Sequence, residues 1–369
     1  MIFGIDISTY PEELAHGAKY YEGDVQIDPV QRFRENGVDH ARIRLWNEPY
    51  SEDKKPYLGG TCDLDNFINL ALLMQDRGYR IVLDFHYSDF WADPGKQTPP
   101  KAWAGKSLDE LCEAVYAYTQ SVLTLCAQKG IALSHIQVGN EITNGMLWPL
   151  GRLVENADGS RTNYESLCAL LNAGVRACRE LSPESKLILH LERSHDMAVY
   201  DEFFTNMERF GVDYDVIGAS YYPYWHGSFE QFFANMELCR KFGKERMVME
   251  LGYAFTLEGY SLKNGEQPRL VVGRDNSRSF NYTPEYPMSP EGQAAFLREF
   301  LRLAKEKGVD GVFYWEPLWL PGDGICWASE QGQSYIGESG KPTLNEWSNQ
   351  CLFDYLGRAL PAFYEYRRE

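Results

Sequence analysis

Apolar runs alternate with amphipathic stretches along the whole chain, with no low-complexity linker between them. A strand of a parallel sheet is buried on both faces and is therefore apolar throughout, so this alternation predicts repeated βα units. Eight runs are interpreted as strands, near residues 2–7, 41–46, 80–85, 135–139, 186–191, 215–220, 246–250 and 311–315. Eight such strands with intervening helices predict an α/β fold, a single (β/α)8 TIM barrel over residues 1–369.

Helix signals follow most of these runs. A Ser or Thr stands three residues before a Glu or Gln, as in a capping box, at Ser107, Thr162 and Ser228. Ser289-Pro290 predicts a helix start, and Gly308 predicts the end of that helix. A doubly wound fold would need a glycine-rich phosphate loop after the first strand, and Ile7–Pro11 contains no glycine, which favours the barrel.

Two glutamates stand at predicted strand ends, where a barrel carries its reactive groups. Glu141 follows Val138-Gly139-Asn140, and Glu250 follows Val248-Met249. Two carboxylates at the ends of parallel strands are the minimum machinery for cleaving a glycosidic bond. A third strand-end glutamate, Glu316, is the rival candidate for the nucleophile.

Further polar residues follow the same strand ends. Period-two alternation places Arg42 with Arg44 on one face, and Asp84 with His86 on one face. A charge that points into a barrel is costly unless it is paired. For Arg42 we expect a structural ion pair, whereas we expect Arg44 to lie near Glu250 and to favour its charged form.

Composition narrows the classes of partner. The net charge of −17 argues against nucleic acid and anionic membrane surfaces. Nine Trp and 24 Tyr could stack on sugar rings, although large barrels also use aromatic residues in their cores. Three tryptophans, Trp103, Trp148 and Trp347, are interpreted as packing residues. No run of about 18 apolar residues is present, so no transmembrane span is predicted.

The N-terminal residues have neither a basic start nor a long apolar stretch, so no signal peptide is predicted. The eight cysteines are scattered without C-x-x-C spacing. Both observations favour a reduced, cytoplasmic protein, or a secreted one if a leader has been removed. We expect a monomer.

Several segments at the strand ends and near the C-terminus form a pattern that extends over essentially the whole chain: Phe3–Ser8, Arg44–Asn47, Asp84–Gln97, Gln137–Glu141, Gly218–Tyr224, Tyr314–Trp319, Asn349–Asp354 and Ala359–Pro361. In these segments the chain resembles glycoside hydrolase family 53, the arabinogalactan endo-β-1,4-galactanases. The segment after the third strand is highly specific, whereas Asn-Glu on the fourth strand is shared by many retaining glycanases.

The resemblance implies a retaining hydrolase in which Glu141 is the acid/base and Glu250 the nucleophile. It implies that Asn140 holds the sugar 2-hydroxyl and that Trp91 and Trp319 are stacking platforms. Other residues implied or expected to bind substrate are Arg44, Asp84, His86, Tyr222 and Trp315. The implied substrate is the neutral polymer β-1,4-galactan, or β-1,4-galacto-oligosaccharides, cleaved by double displacement.

Some relatives bind calcium in the loop after the seventh strand. Here that loop, residues 256–287, offers only Asp275 and Asn276 as ligand-like residues, beside Lys263-Asn264-Gly265 and two arginines. We therefore expect neither a metal nor any other cofactor. Two alternatives stay open: another retaining β-glycanase or transglycosidase of the same clan, and a catalytically inactive carbohydrate-binding barrel.

Overall fold

The computed structural model describes residues 1–262, 265–280, 282–341 and 343–367. Arg368 and Glu369, the last residues of the predicted 1–369 unit, lie outside the described residues. Eight parallel strands form a closed barrel: β1 Ile2–Asp6, β2 His40–Leu45, β3 Arg80–Phe85, β4 Leu133–Val138, β5 Lys186–Leu191, β6 Val216–Tyr221, β7 Glu245–Leu251 and β8 Gly311–Tyr314. The predicted (β/α)8 barrel is confirmed.

Each barrel strand is hydrogen-bonded to its neighbours in chain order, and β1 closes the ring by pairing with both β2 and β8. The predicted strands lie within two residues of the observed bounds. Two short antiparallel hairpins lie outside the barrel, Tyr20–Glu22 with Val25–Ile27, and Val154–Glu155 with Arg161–Thr162.

Helices lie between successive strands. The α-helices of the described residues are Tyr10–Ala15, Pro29–Glu35, Leu64–Asp76, Leu108–Gln128, Tyr164–Leu181, Met197–Arg209, Pro223–His226, Phe229–Leu238, Pro290–Glu306 and Glu330–Tyr335. Short 3-10 turns occur at Lys101–Trp103, Ile142–Asn144, Cys239–Phe242, Ser277–Ser279, Ser348–Gln350 and Pro361–Tyr364.

The predicted capping boxes at Ser107 and Ser228 are confirmed, and Ser289 caps its helix by accepting from the Gly292 amide. The box predicted at Thr162 is wrong. Thr162 belongs to the short hairpin, and the helix is preceded instead by Asn163 in a left-handed conformation. Because Thr162 is part of the hairpin, it does not serve as the N-cap residue that the local pattern predicts.

The barrel interior has an apolar floor and a polar upper layer. The floor is a small cluster of buried side chains: Val82, Ile188, Val216, Met247, Met249 and Phe313. Gly4 leaves room for the Phe313 ring, since a Cβ at that position would lie 2.2 Å from it. Along β2 and β3 the next inward positions are Arg42 and Asp84, so charged groups begin directly above the floor.

Candidate active site

Glu141 lies just beyond β4, on a backbone turn that few residues adopt. Gly139 has φ +83° and Glu141 itself has φ +47°, the left-handed region that disfavours residues with a side chain. The Gln97 amide donates to the carbonyl of Asn140 at 2.8 Å, and Ile142 is fully buried behind the turn. These contacts hold a strained conformation of the kind that clusters at functional sites.

Glu250 faces the barrel mouth because β7 contains a bulge. Val248 is paired with Ala219 of β6, but the next pair along is Glu250 with Ser220, so Met249 is an extra residue. Met249 packs into the apolar floor. Without the bulge, alternation would turn Glu250 away from the interior; with it, Glu250 faces the same way as Ser220.

The two glutamates approach each other across the mouth. A carboxylate oxygen of Glu141, one of Glu250 and a ring nitrogen of His190 all lie within 4.8 Å of one another. Retaining glycosidases place their two carboxyl groups about 5–5.5 Å apart, and inverting ones about 6.5–9.5 Å apart. The close approach of these two oxygens therefore favours a direct attack by one carboxylate, as in a retaining enzyme.

Arg42 is the central cation of the site. Its guanidinium donates to Asp6 at 2.8 Å and to Glu250 at 3.1 Å, forms an ion pair with Asp84 at 2.8 Å, and is 1% exposed. It also donates to Asn140 Oδ1 at 2.8 Å. An arginine so enclosed is pre-positioned, and its charge is shared among three carboxylates.

The two glutamates have different electrostatic environments. Burial raises the pKa of Glu141 well above its ordinary value, and the charges of Glu250 and Glu192 raise it further. Burial also raises the pKa of Glu250, but Arg42 and the Tyr222 hydroxyl, which donates to Glu250 at 3.0 Å, oppose this increase. Glu141 is therefore the member of the pair that keeps its proton, and Glu250 is the one that ionises first.

A cavity of about 360 Å³ opens above the two carboxylates. Eight of the ten residues predicted from the sequence line it: Arg44, His86, Trp91, Asn140, Glu141, Tyr222, Glu250 and Trp315. The predicted residues that lie elsewhere are Asp84 and Trp319. Most of the cavity wall is thus built from strand ends, as a barrel enzyme requires.

The structure corrects the direct sugar contacts expected of Asp84 and Trp319. Asp84 is fully buried beneath the cavity, where it forms an ion pair with Arg42 and accepts from the amide of Gln137 and from His86 Nε2. Trp319 is 1% exposed and packs behind Trp91 and Trp315. Asp84 is enclosed because three donors surround it, and Trp319 because two indole rings lie in front of it.

The expected pairing of Arg44 with Glu250 is also wrong. Arg44 forms its ion pair with Glu316, and Arg42 contacts Glu250. The ion pair expected of Arg42 is confirmed, although Arg42 lines the cavity as well. Glu316, the rival nucleophile, is 2% exposed and lies outside the cavity wall.

Sequence reasoning missed several lining residues, among them Glu192, Trp225, His226, Trp327 and Trp347. Glu192 directly follows β5, so the strand-end rule applied elsewhere could have found it. Trp347, interpreted from the sequence as a packing residue, is a partly exposed wall residue instead. Nothing in its local sequence indicates this, because it lies in a long segment after β8.

His86 is a neutral part of the wall. Its Nδ1 accepts from the Trp46 indole at 3.2 Å and from the Ala92 amide at 3.1 Å, so the proton sits on Nε2, which donates to Asp84. Burial lowers the pKa of His86, in agreement with a neutral ring. The wall around Glu250 thus gains its positive charge from the arginines alone.

In the loop after β7, the Asn276 side chain forms hydrogen bonds with backbone groups of the same loop. Its amide donates to the carbonyls of Leu270 and Val271, and its oxygen accepts from the Gly273 amide. Asp275 is exposed, and Lys263 and Asn264 lie outside the described residues. Asn276 is therefore poorly suited to calcium, and the expectation of no metal or other cofactor stays a prediction. No helix in the described part of the chain is long and apolar enough to cross a bilayer.

Comparison with known proteins identifies the family. The family model for glycosyl hydrolase family 53 matches residues 2–365. An endo-β-1,4-galactanase of Bacillus subtilis (strain 168) is 31% identical over 98% of this chain and 84% of its own length. The arabinogalactan endo-β-1,4-galactanase of Cellvibrio japonicus (strain Ueda107) is 33% identical over 98% of this chain and 89% of its own.

A solved structure, the family 53 catalytic domain of Ignisphaera aggregans, superposes with a TM-score of 0.87 at 36% identity. The match covers 99% of this chain and 95% of that one. Sequence match, barrel and paired strand-end glutamates agree, and the chain belongs to glycosyl hydrolase family 53.

Proposed function

We propose that the chain hydrolyses β-1,4-linked galactan or β-1,4-galacto-oligosaccharides, with retention at the anomeric carbon. The observation that carries this proposal is the close approach of Glu141 and Glu250, within 4.8 Å through one oxygen of each. The galactanase names of the B. subtilis and C. japonicus relatives support the choice of substrate. The site residues keep the roles that the sequence suggested, Glu141 as acid/base and Glu250 as nucleophile.

The reaction proceeds in two displacements. In the first, a Glu250 oxygen attacks the anomeric carbon while the bond to the leaving oxygen breaks, and Glu141 gives its proton to that oxygen. In the second, Glu141 takes a proton from water, the water oxygen attacks the anomeric carbon, and the bond to Glu250 breaks. Each step inverts the carbon once, so the product retains its configuration.

The contacts of Glu250 suit a nucleophile. Arg42 and Tyr222 each donate to one of its oxygens, which favours the anion and fixes its direction. Once Glu250 is glycosylated its charge is gone, so the Coulombic contribution that raises the pKa of Glu141 disappears. Glu141 is then more readily ionised at the step in which it has to act as a base.

The cavity walls favour a neutral sugar. The indoles of Trp91, Trp225, Trp315, Trp327 and Trp347 line the cavity and present faces for stacking. Carboxylates of Glu192 and Asp93 line it as well, and they would repel an acidic chain such as a uronan. A neutral galactan fits both features.

The test is a reducing-sugar assay on potato galactan, galacto-oligosaccharides, xylan and mannan. We expect release from galactan and from galacto-oligosaccharides, and background rates on the other two polymers. Faster cleavage of xylan or mannan would favour the other β-glycanases of the clan. Longer galactosides at high substrate concentration, without net hydrolysis, would favour a transglycosidase, and no turnover of any substrate would favour an inactive barrel.

We also propose a compartment and an oligomeric state. Eight cysteines are free, and seven of them are buried. Free cysteines are typical of a reducing compartment, so we propose a cytoplasmic protein, as a monomer. Cell fractionation tests the first statement, and light scattering tests the second.

A further inference from the structure

A chain of three polar side chains leads away from Glu141. Ser220 Oγ lies 2.6 Å from Glu141 Oε1 and 2.9 Å from His190 Nε2, and His190 Nδ1 lies 2.9 Å from Asn140 Oδ1. Ser220 and His190 are fully buried, and Ser220 is the residue paired with Glu250 across the β7 bulge.

The directions of these hydrogen bonds can be derived from the arginine. Arg42 can only donate, so the Asn140 atom that it contacts at 2.8 Å is the carbonyl oxygen. That oxygen can only accept, so His190 Nδ1 carries a hydrogen. His190 is neutral, because burial and the nearby Arg42 charge lower its pKa well below its ordinary value. Its Nε2 must therefore accept.

The remaining bonds follow from the same count. Since His190 Nε2 accepts, the single Ser220 proton is donated to it, and Ser220 Oγ can only accept from Glu141. Glu141 must then carry the proton of the resting acid. When Glu141 has lost that proton it can only accept, so the Ser220 hydroxyl has to turn towards it and leave His190 Nε2 without a donor.

We propose that Ser220 is a positioning residue whose hydroxyl reverses its hydrogen bond when Glu141 changes from acid to base, and that His190 sets its resting direction. The proposal rests on the acid/base role assigned to Glu141 above. In the resting enzyme His190 engages the Ser220 proton and favours the acid form. In the glycosyl-enzyme the reversed hydroxyl stabilises the carboxylate that activates water.

Other charged and titratable groups also face Glu141 and influence its pKa. They come from several elements: the nucleophile Glu250 with Tyr222 beside it, Glu192 after β5, Asp93 in the loop after β3, and Tyr200 in the helix Met197–Arg209. None of these groups is replaced in the variants of Ser220, His190 and Ser194. A change in the pKa of Glu141 in those variants therefore reports the Ser220–His190 pair.

The two residues should shift the pKa of Glu141 in opposite directions. Ser220→Ala removes a donor from the ionised form, so the pKa should rise by about 1 unit, since a hydrogen bond to a charged group outweighs a neutral one by about 1 kcal/mol. His190→Leu removes the acceptor that competes for the Ser220 proton, so the pKa should fall. His190→Gln can donate to Asn140 and accept from Ser220, and should restore the wild-type value.

The experiment is a titration of Glu141 by carbon NMR in protein labelled at glutamate Cδ, with Glu141→Gln to assign the signal. The matched control is Ser194→Ala, another buried serine, whose hydroxyl donates to the Ser220 backbone carbonyl at 2.7 Å. Shifts of Ser220→Ala and His190→Leu in the same direction, or no shift in either, would overturn the proposal. If His190→Leu does not fold, the difference between Ser220→Ala and Ser194→Ala decides.

The alkaline limb of kcat/KM on galactan supplies a second readout and should move with the NMR values. The titration needs no turnover, so the two proposals fail separately. If the wild-type protein cleaves no galactan, but Ser220→Ala and His190→Leu shift the pKa of Glu141 in opposite directions, the proposed function is refuted and the proposal for Ser220 is retained. If the protein cleaves galactan, but neither variant changes the pKa of Glu141, the proposal for Ser220 is refuted and the proposed function is retained.

Discussion

Two arginine–glutamate pairs lie side by side at the barrel mouth, and both arginines line the cavity, but of the two glutamates Glu250 lines it and Glu316 does not. Arg42 contacts Glu250, and Arg44, two residues along the same strand, contacts Glu316. Asp6 lies between them and is near both guanidinium groups. Burial raises the pKa of both glutamates, so titration behaviour alone does not tell the nucleophile from its neighbour.

The two glutamates differ in their access to the cavity and in the number of hydrogen bonds that their oxygens already accept. Glu316 accepts from the Thr9 amide, from the Thr9 hydroxyl and from Arg44, and the Trp91 ring covers Arg44 at 4.1 Å. Glu250 has one protein donor on each oxygen and lines the cavity. We infer that a strand-end carboxylate becomes a nucleophile when its cation holds it from one side and leaves the other side open to substrate.

The largest expected effect separates the two glutamates directly. Glu250→Gln should reduce galactan turnover by at least about 10⁴-fold, because no glycosyl-enzyme can form. Glu316→Gln should keep activity within about tenfold but lower the melting temperature, since breaking a buried ion pair costs about 3–5 kcal/mol. Steady-state rates and thermal unfolding of both variants check this, and a Glu316 variant as inactive as Glu250→Gln would contradict the comparison.

The same Glu250 variant tests the coupling between the two carboxylates. Its neutral amide mimics the glycosylated state, so the pKa of Glu141 should fall when the Glu250 charge is removed. In the wild type, a raised pKa of Glu141 places the alkaline limb above the ordinary carboxyl range, and ionisation of Glu250 sets the acid limb. A Glu141 pKa that stays the same or rises in Glu250→Gln would refute the coupling.

The next effect concerns the acid. Glu141→Ala should slow galactan hydrolysis by about 10²–10⁴-fold, because the leaving oxygen is no longer protonated. It should spare the first step on aryl galactosides with good leaving groups. Azide should restore their turnover and give the β-galactosyl azide, which chromatography and NMR identify. An α-azide would reverse the roles of Glu141 and Glu250.

A smaller effect distinguishes the arginines. Lysine keeps the charge but cannot make the same set of bonds, so Arg42→Lys should loosen Glu250 and lower kcat by roughly tenfold or more. Its acid limb should move to higher pH, because Arg42 opposes the rise in the Glu250 pKa. Arg44→Lys should leave that limb in place. Equal shifts of the acid limb in pH–rate profiles of the two variants would contradict the assignment of Arg42 to Glu250.

The smallest effect lies behind the Arg44–Glu316 pair. Tyr20 can only donate to the Leu318 carbonyl at 2.8 Å, so its contact with Glu13 requires a proton on Glu13. Burial raises the pKa of Glu13 well above its ordinary value, in agreement with this count.

Because the folded-state pKa of Glu13 is the higher one, its contribution to stability is complete below about pH 4.5 and is lost as the pH rises. Glu13→Gln mimics the protonated form. Its melting temperature should exceed that of the wild type by roughly 2 °C or more at pH 8, with the gap closing towards pH 4. The exposed control Glu35→Gln should show no such gain, and a gap that widens on acidification would refute the buried proton.

Much of the fold could be predicted because the chain states it locally. Eight apolar runs with turn signals between them define the strands, the strand-end rule finds Glu141 and Glu250, and the family resemblance adds wall residues such as Trp91 and Tyr222. Two facts depend on the assembled barrel. Arg42 and Arg44 share a face in the sequence, and the stagger of the strands decides which one meets Glu250.

The bulge in β7 is the second such fact. Met247 and Met249 both belong to the apolar floor, so the local pattern gives no sign that Glu250 shares their side of the sheet. The place of Trp347 in the cavity wall could not be predicted for a related reason, since Trp347 lies in a segment distant from any strand end. Contacts made by strand register and long loops are not encoded in the residues next to them.

The most direct test of the account is to trap the covalent intermediate. A 2-fluoro-galactosyl donor with a good leaving group should label the protein, because the fluorine slows both steps and the good leaving group restores the rate of the first step only. Peptide mass spectrometry should locate the label on Glu250, and NMR of an unmodified substrate should show the β-anomer as first product. A label on Glu316, or an inverted first product, would contradict the double displacement through Glu250.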